Sequence, residues 1–76
     1  MINVTNVFRL EALFASNLQP SMSPDADEID AAIDASLRDH GGERGCTEAM
    51  AVEYGEHPEA APDRMRWVLS VIPAEG

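Results

Sequence analysis

The sequence contains no lysine. Its cationic charge rests on Arg9, Arg38, Arg44, Arg64 and Arg66 alone, against fourteen aspartates and glutamates, for a formal net charge of −9. A surface of that sign repels a phosphate backbone, so nucleic acid is disfavoured as a partner. The single cysteine, Cys46, permits no intramolecular disulfide. It is expected as a small buried apolar residue in a reducing, cytoplasmic setting. No positive segment precedes an apolar one at the N-terminus, so no signal peptide is expected. No apolar run approaches the roughly 20 residues that span a bilayer, so no membrane partner is expected. Glycine-rich phosphate loops and nucleophile elbows are missing too.

What remains is a short acidic chain of 76 residues, enough for one domain. Hydrophobic residues make up 45% of it, too many for a disordered acidic tail. Much of that share is alanine, which adds little buried area. A domain this small buries only about 60% of its unfolded surface. Homodimerisation, or docking on another protein, would help to stabilise so thin a core. The acidic surface favours a partner with a basic face, or imitates the phosphate backbone of DNA. It also serves plain solubility.

The stretch from Cys46 to Ile72 carries the only tryptophan and the only tyrosine. Its spacing predicts two helices with a break at Gly55, which suits a left-handed C-terminal cap. Cys46, Ala49, Met50 and Tyr54 share one helical face. Pro58 suits the first turn of the second helix. Met65, Val68, Leu69 and Ile72 form that helix's stripe. Ala51, Tyr54, Gly55, Ala61 and Met65 fall at the spacing of a helix-turn-helix unit, which this third of the chain resembles. The departures are Pro62 inside the would-be recognition helix, and Glu59 and Asp63 where bases would be read. An αα-hairpin serving a small core explains the same spacing.

The rest of the chain predicts two more helices. The first spans 4–18, capped by Asn3 or Thr5, with Val4, Val7, Phe8, Phe14 and Leu18 on its apolar stripe. Leu13 lies off that stripe. Glu11 lies inside it, at a boundary position or paired with an arginine. Gln19 to Pro24 is a loop. The second helix spans 24–40, with Ser23 as N-cap and Pro24 in its first turn. Ala26, Ile29, Ile33 and Leu37 form its core stripe, Asp34 pairs with Arg38, and Gly41-Gly42 ends it. Five acids between Asp25 and Asp34, with no base among them, give it the most negative face in the chain. Capping accounts for Asp25, Asp27 and Glu28 but not for Asp30 and Asp34. A charge run is also what a merely solvated face looks like.

Few residues suggest chemistry. His40, Cys46 and His57 match no zinc spacing, so no metal is expected. Neither a cofactor nor catalysis is expected: a Cys–His pair needs a cleft, an oxyanion donor and an orienting group. Arg64, Arg66 and Trp67 are the one basic and aromatic cluster, of the kind that anchors interfaces. Trp67 also suits the role of central core aromatic, with Arg64 and Arg66 pairing with Glu59 and Asp63. The segments ERGC, VEYGEHPEAA and RMRW resemble those of a group of short actinobacterial helical proteins, a resemblance that implies no activity. The expected fold is therefore all-α, a bundle of four helices at 4–18, 24–40, 46–54 and 58–72. The expected function is a non-catalytic adaptor or regulator that binds a basic protein through Asp27, Asp30 and Asp34 and through Arg64 and Trp67. The alternative is a dimeric helix-turn-helix DNA-binding regulator using Glu59 to Arg66.

Overall fold

Four α-helices and one short 3-10 turn follow one another: α1 Val4–Ala15, the turn Pro20–Met22, α2 Ala26–Asp39, α3 Glu43–Glu56 and α4 Ala61–Val71. They belong to a computed structural model that describes residues 4–72, with side chains from residue 7 onward. The cap expected at Asn3 and the tail from Pro73 lie outside the described residues, as do the side chains of Val4 and Thr5. The all-helical bundle expected from the sequence is present, with shifted helix ends.

The largest shift is in which helix sits at the centre. α1 packs against α2, α3 and α4 alike. Its consecutive residues Ala12, Leu13 and Phe14 are 0%, 0% and 2% exposed. A helix covered on several sides has no single apolar stripe, which is why Leu13 belongs to the core although it lies off the stripe. Val7, placed on the stripe, is instead exposed. Glu11 stands at a boundary, half-buried and without an arginine, and the Thr47 hydroxyl of α3 donates to it at 2.9 Å.

α2 begins two residues later than expected, because Asp25 caps it rather than Ser23. The Asp25 carboxylate accepts from the Glu28 backbone N–H at 2.8 Å, and the Glu28 carboxylate accepts from the Asp25 N–H at 3.1 Å. This reciprocal box satisfies two donors that the first turn leaves without partners. Ser23 ends the preceding 3-10 turn, with a left-handed φ of 47°. Ile29 and Ile33 are buried as expected, and Ala26 is exposed. Ser36 is buried as well, its hydroxyl against the Cys46 sulfur at 3.6 Å. Asp34 and Arg38 do not pair. The ion pairs among the described residues are Arg9–Asp30 and Arg66–Asp63.

The end of α2 follows the glycine pattern of the sequence. Gly42 N–H donates to Leu37 O at 2.7 Å and Gly41 N–H to Arg38 O at 3.4 Å. Both glycines have positive φ, 76° and 102°. That geometry is a Schellman stop, open to residues without a Cβ. The chain then enters α3 at once, three residues earlier than expected.

Gly55 does not end α3. It lies inside the helix, and the break falls at His57–Ala60. His57 N–H donates to Glu53 O at 2.7 Å, and His57 O accepts from Ala60 and Ala61 N–H groups. Pro58 therefore stands in the turn, and α4 starts at Ala61 with Pro62 in its first turn. A Cβ at Gly55 would meet nothing within 4 Å, at an ordinary φ. Gly55→Ala is expected to stabilise the protein by about 0.5 kcal/mol, because alanine loses less backbone freedom in a helix. Thermal melts followed by circular dichroism would show a rise of about 3 °C.

In α4, Ala61 and Val68 are buried, as is Ile72 just beyond it, whereas Leu69 is 55% exposed. Trp67 is half-buried beside the core rather than at its centre. Phe14 is the largest fully buried side chain. Phe14 holds the centre because α1 does.

Candidate functional site

Several side chains from elsewhere in the chain converge on the C-terminal end of α1. α1 carries no basic residue in its last turn, and its next glycine is Gly41. Ser16 closes Leu13 O locally, its hydroxyl and N–H donating at 2.6 and 3.1 Å, and the carbonyls beyond it are left for partners from elsewhere in the chain. Arg64 of α4 supplies them across about fifty positions of sequence. Its Nε donates to Phe14 O at 2.8 Å. Its Nη2 donates to Ser16 O at 2.9 Å and Leu18 O at 3.0 Å, and more loosely to Leu13 O at 3.4 Å. His40 from the end of α2 reaches Ala15 O through Nε2 at 3.1 Å. A carbonyl only accepts, so Nε2 carries the proton in this contact.

The same guanidinium lies over the rings of Phe14 and Trp67, 5.7 and 5.4 Å from their centroids. Tyr54 stacks on Phe14, the ring centroids 5.6 Å apart. Each such contact adds a modest cation–π or stacking attraction. Burial pushes the Arg64 pKa below the usual arginine value, and the nearby Glu53 carboxylate raises it. The positive charge also faces the negative end of the α1 dipole. Arg64 thus acts as the C-terminal cap of α1, and its donors at Nε and Nη2 are occupied by the chain's own backbone.

A clue to this role was available in the sequence. Arg64 is three residues from Ala61 and four from Val68, so it shares the buried side of α4. Read together with an α1 that has no basic residue in its last turn, that position suits an inward-facing arginine. Arg66 points the other way and pairs with Asp63 one turn earlier.

The other candidate residues stand on a different face. Asp27, Asp30 and Asp34 are all exposed along α2. Asp30 is held by Arg9 at 2.8 Å, with both side chains substantially open to water. Asp27 and Asp34 enter no ion pair among the described residues. The structure therefore does not gather the five candidates into one site. It separates a carboxylate face on α2 from a backbone clamp at Arg64 and Trp67.

The remaining chemistry is sparse. Cys46 is buried, with its sulfur 3.6 Å from both the hydroxyl and the carbonyl oxygen of Ser36. His40 is held at Ala15 O, and His57 caps α3. Among the described residues no group of three or more His, Cys, Asp or Glu could hold a metal ion. No helix there is long and apolar enough to cross a membrane. Every buried side-chain nitrogen or oxygen there has a hydrogen-bond partner. No family model matches the chain, and no curated protein or solved structure matches it, so no function reaches it from a relative.

Proposed function

We propose that this protein is a non-catalytic interaction module, an adaptor or regulator that docks a basic partner protein on the outer face of α2. The observation that carries this reading is the open state of that face. Asp27 and Asp34 are exposed and without ion pairs among the described residues, and only Asp30 is neutralised, by Arg9. Asp30 and Asp34 are not needed to cap the helix; that work is done by Asp25 and Glu28. Charges of one sign raise the encounter rate with an oppositely charged partner and disfavour wrong ones. A surface that imitates the charge of DNA is the sharper form of the same idea. The single buried thiol suits a reducing, cytoplasmic setting.

The alternative of a DNA reader fits less well. Of the two arginines on α4, Arg64 faces the α1 carbonyls and Arg66 faces Asp63. The turn glycine of the helix-turn-helix spacing lies within α3. The first feature leaves few cations for phosphates, and the second moves the turn away from the place the spacing requires.

The test is affinity capture from a native lysate with the wild-type protein and with the triple variant Asp27→Asn, Asp30→Asn, Asp34→Asn. One basic protein is expected on wild type and at least about ten-fold less on the variant, the size of effect that a cluster of interfacial charges carries. Equal capture by both would remove the α2 face from the proposal. Capture of nucleic acid alone would replace the proposal with the DNA-binding reading.

A further inference from the structure

Residues 51–60 are all exposed. They are the C-terminal part of α3 and the turn that leads to α4. The buried residue of α3, Cys46, lies near its other end. Beside the exposed part runs a groove of about 490 Å³, lined by Phe14, Ala49, Val52, Glu53 and Arg64 among others. The end of α3 therefore does not close fully on the end of α1.

The local sequence does little to hold this part helical. Gly55 keeps the backbone freedom of a residue without a Cβ. Glu53 and Glu56 stand at the negative end of the helix dipole, with no basic residue in the last turn to offset them. Pro58 has no N–H, so the Tyr54 carbonyl lacks its ordinary helical donor. What holds the segment comes from outside it. Tyr54 stacks on Phe14, and the Glu53 carboxylate attracts the Arg64 guanidinium.

We infer that residues 51–60 form a lid on the Phe14 ring, one that opens by itself while α1, α2 and α4 stay packed. Tyr54 is its latch. With the lid shut, Phe14 is 2% exposed. Unstacking Tyr54 bares one face of that ring, an apolar surface absent from the closed molecule. α4 need not follow, because Ala61 and Val68 are buried and Arg64 is fixed to the carbonyls of Phe14, Ser16 and Leu18. Segments with few buried contacts and solvent-exposed helical bonds open at a fraction of the global unfolding cost. The lid is independent of the α2 face, so the two stand or fall separately.

The test is native-state hydrogen exchange of the isotope-labelled protein, followed amide by amide with and without low urea. The amides of residues 52–57 are expected to be at least about a hundred-fold less protected than those of Leu13, Phe14 and Ile33. Urea is expected to change their rates little, since a local opening exposes little surface. Ile33→Val, in the buried stripe of α2, is expected to speed exchange in α1 and α2 by about five-fold and to leave residues 52–57 unchanged. Tyr54→Ala is expected to speed exchange at residues 52, 53 and 55–57 by at least about five-fold, through loss of the stack. Acceleration of residues 52–57 by Ile33→Val in step with the core would overturn the proposal, since α3 would then open only with the whole domain. Unchanged rates in Tyr54→Ala would overturn it too, since the stack would then not be the latch.

Discussion

Arg64→Ala is expected to lower the stability of the protein by about 3 kcal/mol, a large share of the roughly 4–11 kcal/mol available to a domain of this size. The substitution removes the donors that close Phe14 O, Ser16 O and Leu18 O. Those carbonyls are only partly accessible, so water replaces the lost bonds incompletely. It also removes the cation from the Phe14 and Trp67 rings and from the negative end of the α1 dipole. Urea unfolding followed at Trp67 and by helical circular dichroism measures the loss, and the melting temperature is expected to fall by about 15 °C. Arg64→Lys separates charge from geometry. Lysine keeps the charge but lacks the planar fork that serves several carbonyls at once, so about 2 kcal/mol is still expected to be lost. A loss below about 1 kcal/mol for the alanine variant would mean that hydration alone suffices to cap α1.

Gly45→Ala is the second large effect, and its sign opposes helix propensity. Alanine in a helix interior is favoured over glycine by about 1 kcal/mol. At Gly45, however, an added Cβ would lie 1.5 Å from the His40 carbonyl oxygen and 2.6 Å from its carbon. The obstacle is backbone, held by the Gly41 and Gly42 stop that ends α2. It has no rotamer by which to retreat. Either α3 moves away from α2 or the stop opens, and Cys46 with its buried Ser36 contact follows. A net destabilisation of at least about 3 kcal/mol is expected, within the range of severe overpacking. Denaturant midpoints of Gly45→Ala and Gly55→Ala, measured side by side, should move in opposite directions. A neutral or stabilising Gly45→Ala would show that the α2–α3 corner is far more yielding than its hydrogen bonds imply.

The two glycines of α3 show how much can be read from sequence. Gly55 looks like a stop because glycine often is one, yet the helix runs through it. Gly45 looks like part of a linker, yet it is the position where α3 crosses the α2 carbonyls. Propensity describes a residue's own backbone freedom and contains no term for what another segment places against it.

The amino-acid sequence by itself determined the all-helical class, the strong acidity, the glycine stop after α2 and the solvent-facing run from Asp25 to Asp34. Each depends on local periodicity, local backbone freedom or a sum of charges. Only the tertiary structure decided that α1 is the central helix, that Leu13 joins Phe14 in the core, and that Arg64 caps α1 from α4. The physical reason is that burial on several sides and a cap borrowed from fifty residues away belong to pairs of segments. A one-dimensional pattern records each segment's own needs, but the partner that meets them is chosen only when the helices pack.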